Sequence, residues 1–163
     1  MKILLWGIGF IILFAIVASS LFIYKMHNVL KTGGKIVEWN DTDGTTYKDL
    51  RYGKGSRNTY DLVIPTDTEP TAVMIFVHGG SWNAGQKEDM AYEAHRYAKQ
   101  GYATATINYT RIGTDSLDYE SKYEKSCFPT MIEEIYNAVA AIKAKGTELG
   151  YDFKQMAIGG YSA

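Results

Sequence analysis

The stretch Ala72-Val73-Met74-Ile75-Phe76-Val77-His78-Gly79-Gly80-Ser81-Trp82 decides how this 163-residue chain is read. Its first six residues form an unbroken apolar run, the pattern of a strand covered on both faces in a largely parallel sheet. Such a strand is central. The two glycines after it remove side chains at the strand's carboxyl end, so backbone N–H groups can point into a pocket there. In sheets of this kind ligands bind beyond the carboxyl ends of the strands. That geometry suits an anion that develops during a reaction.

Working outward, the segments on either side alternate between strand and helix patterns. Upstream, Tyr47 to Tyr52 and Tyr60 to Ile64 are aromatic and branched, with Gly53-Lys54-Gly55-Ser56 between them as a turn, which predicts an antiparallel pair ended by Pro65. Downstream, Met90, Ala91, Ala94, Tyr97 and Ala98 fall on one helical face between Lys87 and Lys99, with Gly101 placed as a cap. Tyr102 to Asn108 is the next strand. The polar stretch Gly113 to Cys127 has neither period and reads as a long loop. Ile132, Ile135, Tyr136, Val139 and Ile142 make a second helical stripe, with Pro129 near its start and Gly146 near its end. Gln155 to Gly159 is a last short strand. The implied fold class is α/β: a mostly parallel sheet with an antiparallel start and helices on both faces.

That last strand runs into Gly159-Gly160-Tyr161-Ser162-Ala163, which supplies the Gly-x-Ser-x part of a Gly-x-Ser-x-Gly nucleophile elbow. A sharp strand-to-helix turn holds such a serine in a strained conformation, and the residue after it, here Ala163, donates its N–H to the oxyanion. Each signal alone is modest. Their order carries the argument: glycines after one buried strand, then strand, helix and strand ending in a serine turn, put an oxyanion donor and a nucleophile on one edge of one sheet. A dinucleotide site is excluded, because its Gly-x-Gly-x-x-Gly must open a helix after a first strand and Gly159-Gly160 has neither the place nor the spacing.

From Thr46 to Ala163 the chain resembles the α/β-hydrolase superfamily, in particular the esterase/lipase branch that includes feruloyl-esterase-like and hormone-sensitive-lipase-like enzymes. Besides the two loops, Tyr60-Asp61-Leu62-Val63-Ile64-Pro65 resembles the family's Asp-x-Tyr-x-Pro strand, with Val63 in place of the aromatic residue. Asn108-Tyr109, Phe128-Pro129 with Glu133-Glu134, and Gly150-Tyr151-Asp152 resemble further family steps. The resemblance implies the N-terminal half of that fold, with Ser162 as nucleophile and Gly79, Gly80 and Ala163 as backbone donors. Trp82 is expected to wall the pocket, and Tyr161 and His78 to be pocket or structural residues. His78 precedes the serine, whereas the family order is serine, acid, histidine, so its ring is expected to bond the loop backbone. The acid and histidine would lie beyond residue 163, and this chain alone is expected to be inactive, since a serine hydroxyl without an adjacent base is a poor nucleophile. The expected function is a serine carboxylesterase or lipase-like enzyme acting on a small-molecule ester through an acyl-enzyme. The alternatives are a noncatalytic scaffold on the same framework and an acyl-peptidase. No metal or organic cofactor is implied.

Composition sets the outer limits. Charged residues are 21% and hydrophobic ones 46% of the chain, an ordinary globular balance. Seventeen basic against eighteen acidic residues give a formal net charge of -1, with no basic stripe of the kind nucleic acid requires. Cys127 is the only cysteine, so no internal disulfide forms; it reads as a small buried or half-buried side chain. His27 and His95 read as surface residues. The run Ile3 to Tyr24 has no charge and is long enough to cross a hydrocarbon core of about 30 Å, which predicts a transmembrane anchor. Ala18-Ser19-Ser20 could border a cleavage site, but the run exceeds a signal core of about 7–15 residues, so retention is expected. Lys25, Lys31 and Lys35 argue for a cytoplasmic domain by the positive-inside rule, while short Met-Lys anchors commonly export the domain behind them; an extracytoplasmic domain is the expectation. The domains are thus 1–25 anchor, 26–45 linker and 46–163 partial hydrolase domain. The strand Gln155 to Gly159, central in the family's sheet, is expected here as a bare edge that favours aggregation.

Overall fold

The computed structural model describes residues 19–20, 37–112 and 127–162. The chain divides into two units, Met1–Ile36 and Val37–Ala163, and the fold is that of the second. Apart from Ser19 and Ser20, both helical and exposed, the apolar run 3–24 lies outside the described residues. Among the described residues no helix is long and apolar enough to cross a membrane.

The branched and aromatic segments form a five-stranded sheet in the order β1-β2-β4-β3-β5: β1 Gly44–Arg51, β2 Thr59–Pro65, β3 Ala72–Val77, β4 Ala103–Ile107 and β5 Gln155–Gly160. β2 is antiparallel to both β1 and β4, while β3 is parallel to β4 and to β5. All strands but β2 therefore run the same way.

The period of two sorts β3 between the two faces. Val73 and Ile75 join Leu62, Ile64, Ala103, Ala105 and Ile107 in the main core, which α2 (Cys127–Glu148) covers with Ala138 and Ile142. Phe76 turns the other way and packs with Met90 and Ala94, with Met74 and Tyr97 beside them, under α1 (Ala91–Ala98). Each face thus has its own helix. Thr104 is buried on the α1 face without penalty because its hydroxyl donates to the Ala94 carbonyl at 3.1 Å.

Three local readings differ from the structure. The segment from Lys87 is not one helix: Lys87–Met90 is a 3-10 turn and the α-helix begins at Ala91. Lys87 is pinned at both ends, its backbone N–H donating to Asn108 Oδ1 at 2.8 Å and its buried ammonium paired with Asp49 and Asp61 at 3.0 and 2.9 Å. Burial alone would lower the Lys87 pKa, but Glu88, Asp61 and Asp49 outweigh it and hold the amine above its ordinary value. Asp49 reaches the amine from a bulge between Tyr47 and Leu50, where its φ is 55°.

The second difference is the rotation of α2. Its buried arc is Met131, Ala138 and Ile142, whereas Ile132 and Tyr136 are 54% and 71% exposed. Glu134 fixes this rotation by accepting from the Thr110 amide and hydroxyl, both at 2.7 Å, and from Asn58 Nδ2 at 2.9 Å. The third concerns His95. It is half-buried under Trp39, the rings stacked 5.1 Å apart, and not open surface. Cys127, the last residue of the predicted loop 113–127, opens α2, and residues 113–126 lie outside the described residues.

Candidate active site

Strand register decides which loops meet. Val77 at the end of β3 pairs with Ile107 of β4 on one side and Gly160 of β5 on the other. His78, Asn108 and Tyr161 therefore leave the sheet side by side, at its carboxyl edge. The glycine bend and the serine turn touch. A Cβ on Gly79 would run into the Tyr161 carbonyl oxygen and lie 3.0 Å from Ser162 Cβ, so only glycine admits the serine turn this close. Ser162 itself has φ 55°, a left-handed conformation that a non-glycine residue adopts at a cost of about 1–3 kcal/mol. Its side chain is exposed and reachable. Ala163 lies outside the described residues, so the placement of its amide does too. Tyr161 contributes its backbone to this contact, and its side chain is exposed.

The loop after β3 is wound tightly. Gly80 has φ 129°, and Ser81 and Trp82 come next at 51° and 62°. The Asn83 and Ala84 amides both donate back to the Gly80 carbonyl, at 3.1 and 2.9 Å. The Ile112 amide donates to the Trp82 carbonyl at 2.9 Å, tying the loop to the segment after β4.

His78 is buried and stacks on Tyr109 with ring centroids 4.5 Å apart. Its Nδ1 lies 2.8 Å from the Gly79 carbonyl and its Nε2 3.3 Å from Arg57 Nη2. A carbonyl only accepts and a guanidinium only donates, so Nδ1 carries the proton and Nε2 accepts. Burial first, then the charges of Arg57 and Arg111, push the His78 pKa below its ordinary value against the Gly79 carbonyl and Asp89. The ring is neutral, with both nitrogens committed. The Tyr109 phenol, its pKa raised by burial, donates to the His78 carbonyl at 3.3 Å.

Beside the serine is a cleft of about 230 Å³. Trp82 and Phe128, edge to face at 5.3 Å, form one wall; Met131, Ile132 and Ile135 of α2 form another, and Ser162 and His78 bring the polar atoms. The exposed flank of α2 is thus partly cleft wall, which accounts for Ile132. Among the described residues no group of His, Cys, Asp and Glu could hold a metal ion.

Several organising residues carried no motif. Arg57 lies in the β1–β2 turn and reaches both His78 and the end of β4. Asn108 accepts from Arg57 and from the Lys87 amide, and its own carbonyl accepts from the Tyr52 phenol at 2.6 Å. For Asn108 the signals were a polar residue directly after a buried strand and the Asn108-Tyr109 resemblance to a family step, neither of which specified its partners; Arg57 offered none.

The chain is similar to known esterases in sequence and in fold. Gut esterase 1 of Caenorhabditis elegans is 30% identical over 107 residues, 64% of this chain and 19% of that protein. A probable isoprenylcysteine alpha-carbonyl methylesterase of Oryza sativa subsp. japonica is 30% identical over 113 residues, 69% of this chain and 24% of that protein. This chain therefore spans under a quarter of the length of these relatives. Among solved structures, esterase B from Lactobacillus rhamnosis superimposes with a TM-score of 0.63 at 19% identity, over 90% of this chain and 44% of that one. A bacterial heroin esterase superimposes with a TM-score of 0.59 at 21% identity, over 83% and 41%. The sequence profile of the BD-FAE family matches residues 60–163, from β2 through the serine turn. The chain belongs to the BD-FAE family, esterase-like hydrolases of the esterase/lipase branch of the α/β-hydrolase superfamily.

Proposed function

We propose that this chain carries the nucleophile and oxyanion-binding half of a serine carboxylesterase. Ser162 Oγ attacks the ester carbonyl carbon, and the developing oxyanion is held by amides of Gly79, Gly80 and Ala163. The ester C–O bond breaks, the alcohol leaves with a proton, and the acyl group stays on Ser162 until water releases the acid. The observation that carries this reading is the close approach of Gly79 to Ser162 at one edge of the sheet. The exposed, left-handed Ser162 supports it, as do relatives named for esterase chemistry.

The serine needs a base. His78 has both ring nitrogens engaged, His95 is stacked under Trp39 and His27 lies outside the described residues; under this reading the catalytic histidine and its acid are assigned to sequence beyond Ala163, and residues 1–163 alone are expected to be inactive. The apolar walls of the cleft fit an ester whose group beside Ser162 is uncharged and small, since pockets for drug-sized ligands run to about 300–1,000 Å³. Residues 3–24 anchor the protein in a membrane, with the hydrolase domain outside the cytoplasm.

The test is a fluorophosphonate probe on the full-length protein, with p-nitrophenyl esters and peptide amides as substrates. Labelling and ester turnover that vanish in Ser162→Ala support the reading. Labelling that survives this change rejects Ser162 as the nucleophile, and no labelling at all rejects the reading and leaves a noncatalytic interaction protein; turnover confined to amides indicates an acyl-peptidase. Protection of the domain from protease in sealed, correctly oriented vesicles separates the two membrane orientations.

A further inference from the structure

The guanidinium of Arg57 sits where the turn between β1 and β2, the loop after β3 and the end of β4 meet. Its Nε donates to the Tyr109 carbonyl at 3.0 Å, and Nη2 reaches Asn108 Oδ1 at 2.9 Å, the Gly85 carbonyl at 3.0 Å and His78 Nε2 at 3.3 Å. Gly85 and His78 are the two ends of the loop that holds Gly79 and Gly80. One side chain from a remote turn thus clamps the loop at both ends and ties it to β4.

We infer that Arg57 is a positioning residue of the oxyanion hole, acting through the tautomer of His78. Arg57 can only donate, and its Nη2, with two hydrogens among three acceptors, shares one of them with His78 Nε2, which favours an unprotonated Nε2 and a ring proton on Nδ1. That proton is donated to the Gly79 carbonyl at 2.8 Å. The Gly79 carbonyl and the Gly80 N–H belong to one planar trans peptide and point in opposite directions. Holding the oxygen towards His78 therefore aims the Gly80 N–H away from it. The chain of constraint runs from Arg57 to His78 to the Gly79–Gly80 peptide, and the aim of one amide donor is set by a residue that never meets the substrate.

The groups that face His78 fit this account. Arg57 approaches from the β1–β2 turn, Arg111 and the stacked Tyr109 from the segment after β4, and Asp89 from the 3-10 turn. A protonated His78 would present a second donor and a second positive charge to Arg57. Acid therefore breaks the clamp at the Arg57–His78 contact and frees the Gly79–Gly80 peptide to rotate.

The inference rests on the esterase reading for its functional consequence, but its structural core is tested without activity. In the ¹⁵N-labelled full-length protein at pH 7, the imidazole of His78 is expected as the neutral Nδ1–H tautomer. An Nε2–H tautomer or an imidazolium would overturn the inference, whatever the variants do. In Arg57→Gln, His78 is expected to titrate at higher pH and to lose the single tautomer; Arg57→Lys, which keeps a donor and a charge, is expected to restore both. Fluorophosphonate labelling of Ser162 should fall about 10- to 100-fold in Arg57→Gln, the scale of a misaimed oxyanion donor, with its acid limb moved to higher pH. An unchanged His78 signal in folded Arg57→Gln shows a structural clamp only and overturns the inference. Absent labelling of the wild type with the expected His78 behaviour overturns the esterase reading and not the Arg57–His78 coupling.

Discussion

β3 and β5 are paired residue for residue from Ala72–Gln155 to Val77–Gly160, yet they occupy opposite environments. Val73 and Ile75 of β3 are buried between β4, β5 and α2, whereas Ile158 of β5 is 57% exposed. Their loops differ in the same way. The loop after β3 is fastened by Arg57, Arg111, Tyr109 and Ile112, while the serine turn after β5 is exposed and leans on Gly79. The loop after β3 is organised by its own surroundings, and the serine turn is packed against it at Gly79.

The contrast is most exposed by paired truncations. Ile75→Ala removes a fully buried side chain and is expected to cost about 2–5 kcal/mol in chemical denaturation, while Ile158→Ala, its partner across the β3–β5 ladder, should stay within about 0.5 kcal/mol. Equal costs would show that β5 is packed as firmly as β3. Gly79→Ala strikes the contact between the loops: its methyl would meet the Tyr161 carbonyl. Fluorophosphonate labelling of the full-length protein should fall by about 10²- to 10³-fold, with denaturation midpoints moving much less than for Ile75→Ala. Retained labelling would mean that the serine turn does not depend on Gly79.

Smaller effects sharpen the same picture. Trp82→Ala removes one wall of the cleft and is expected to raise KM for apolar p-nitrophenyl esters about tenfold, near 1.4 kcal/mol, with kcat little changed; a fall in kcat alone would make Trp82 a loop anchor instead. The smallest effect is on pH. His78 has a folded pKa below its ordinary value, burial being the first cause, so between that pKa and about 6.5 the unfolded chain binds a proton that the folded one does not. Stability therefore declines as pH falls through this window and is flat above it. His95, also lowered by burial, contributes in the same direction, so the informative quantity is the difference between wild type and His78→Gln in urea midpoints at pH 7.5 and 5.5. An identical decline in both would remove His78 from the pH dependence of stability.

The elements themselves were legible. The apolar run 72–77 and the alternating segments around it appear as strands with boundaries shifted by up to three residues, the largest at the start of β1, because β-branched and apolar runs fit a covered sheet wherever it forms. The rotation of α2 was not legible, since Ile132, Ile135, Tyr136, Val139 and Ile142 satisfy a helical period equally well. The buried arc is selected by a long-range bond from Glu134 to Thr110 and Asn58. The split at Lys87–Met90 has the same origin, in a lysine whose partners Asp49 and Asp61 are distant in sequence.

By itself the sequence determined which residue types stand at strand ends: glycines where backbone must approach backbone, and a serine in a Gly-x-Ser turn. These are local requirements of sterics and backbone conformation, written in adjacent residues. Only the tertiary structure decided that Gly79 lies against Ser162, that His78 is a neutral ring held by Arg57, and that Ile132 walls the cleft. Each depends on strand register and on hydrogen bonds between residues far apart along the chain, which periodicity does not encode.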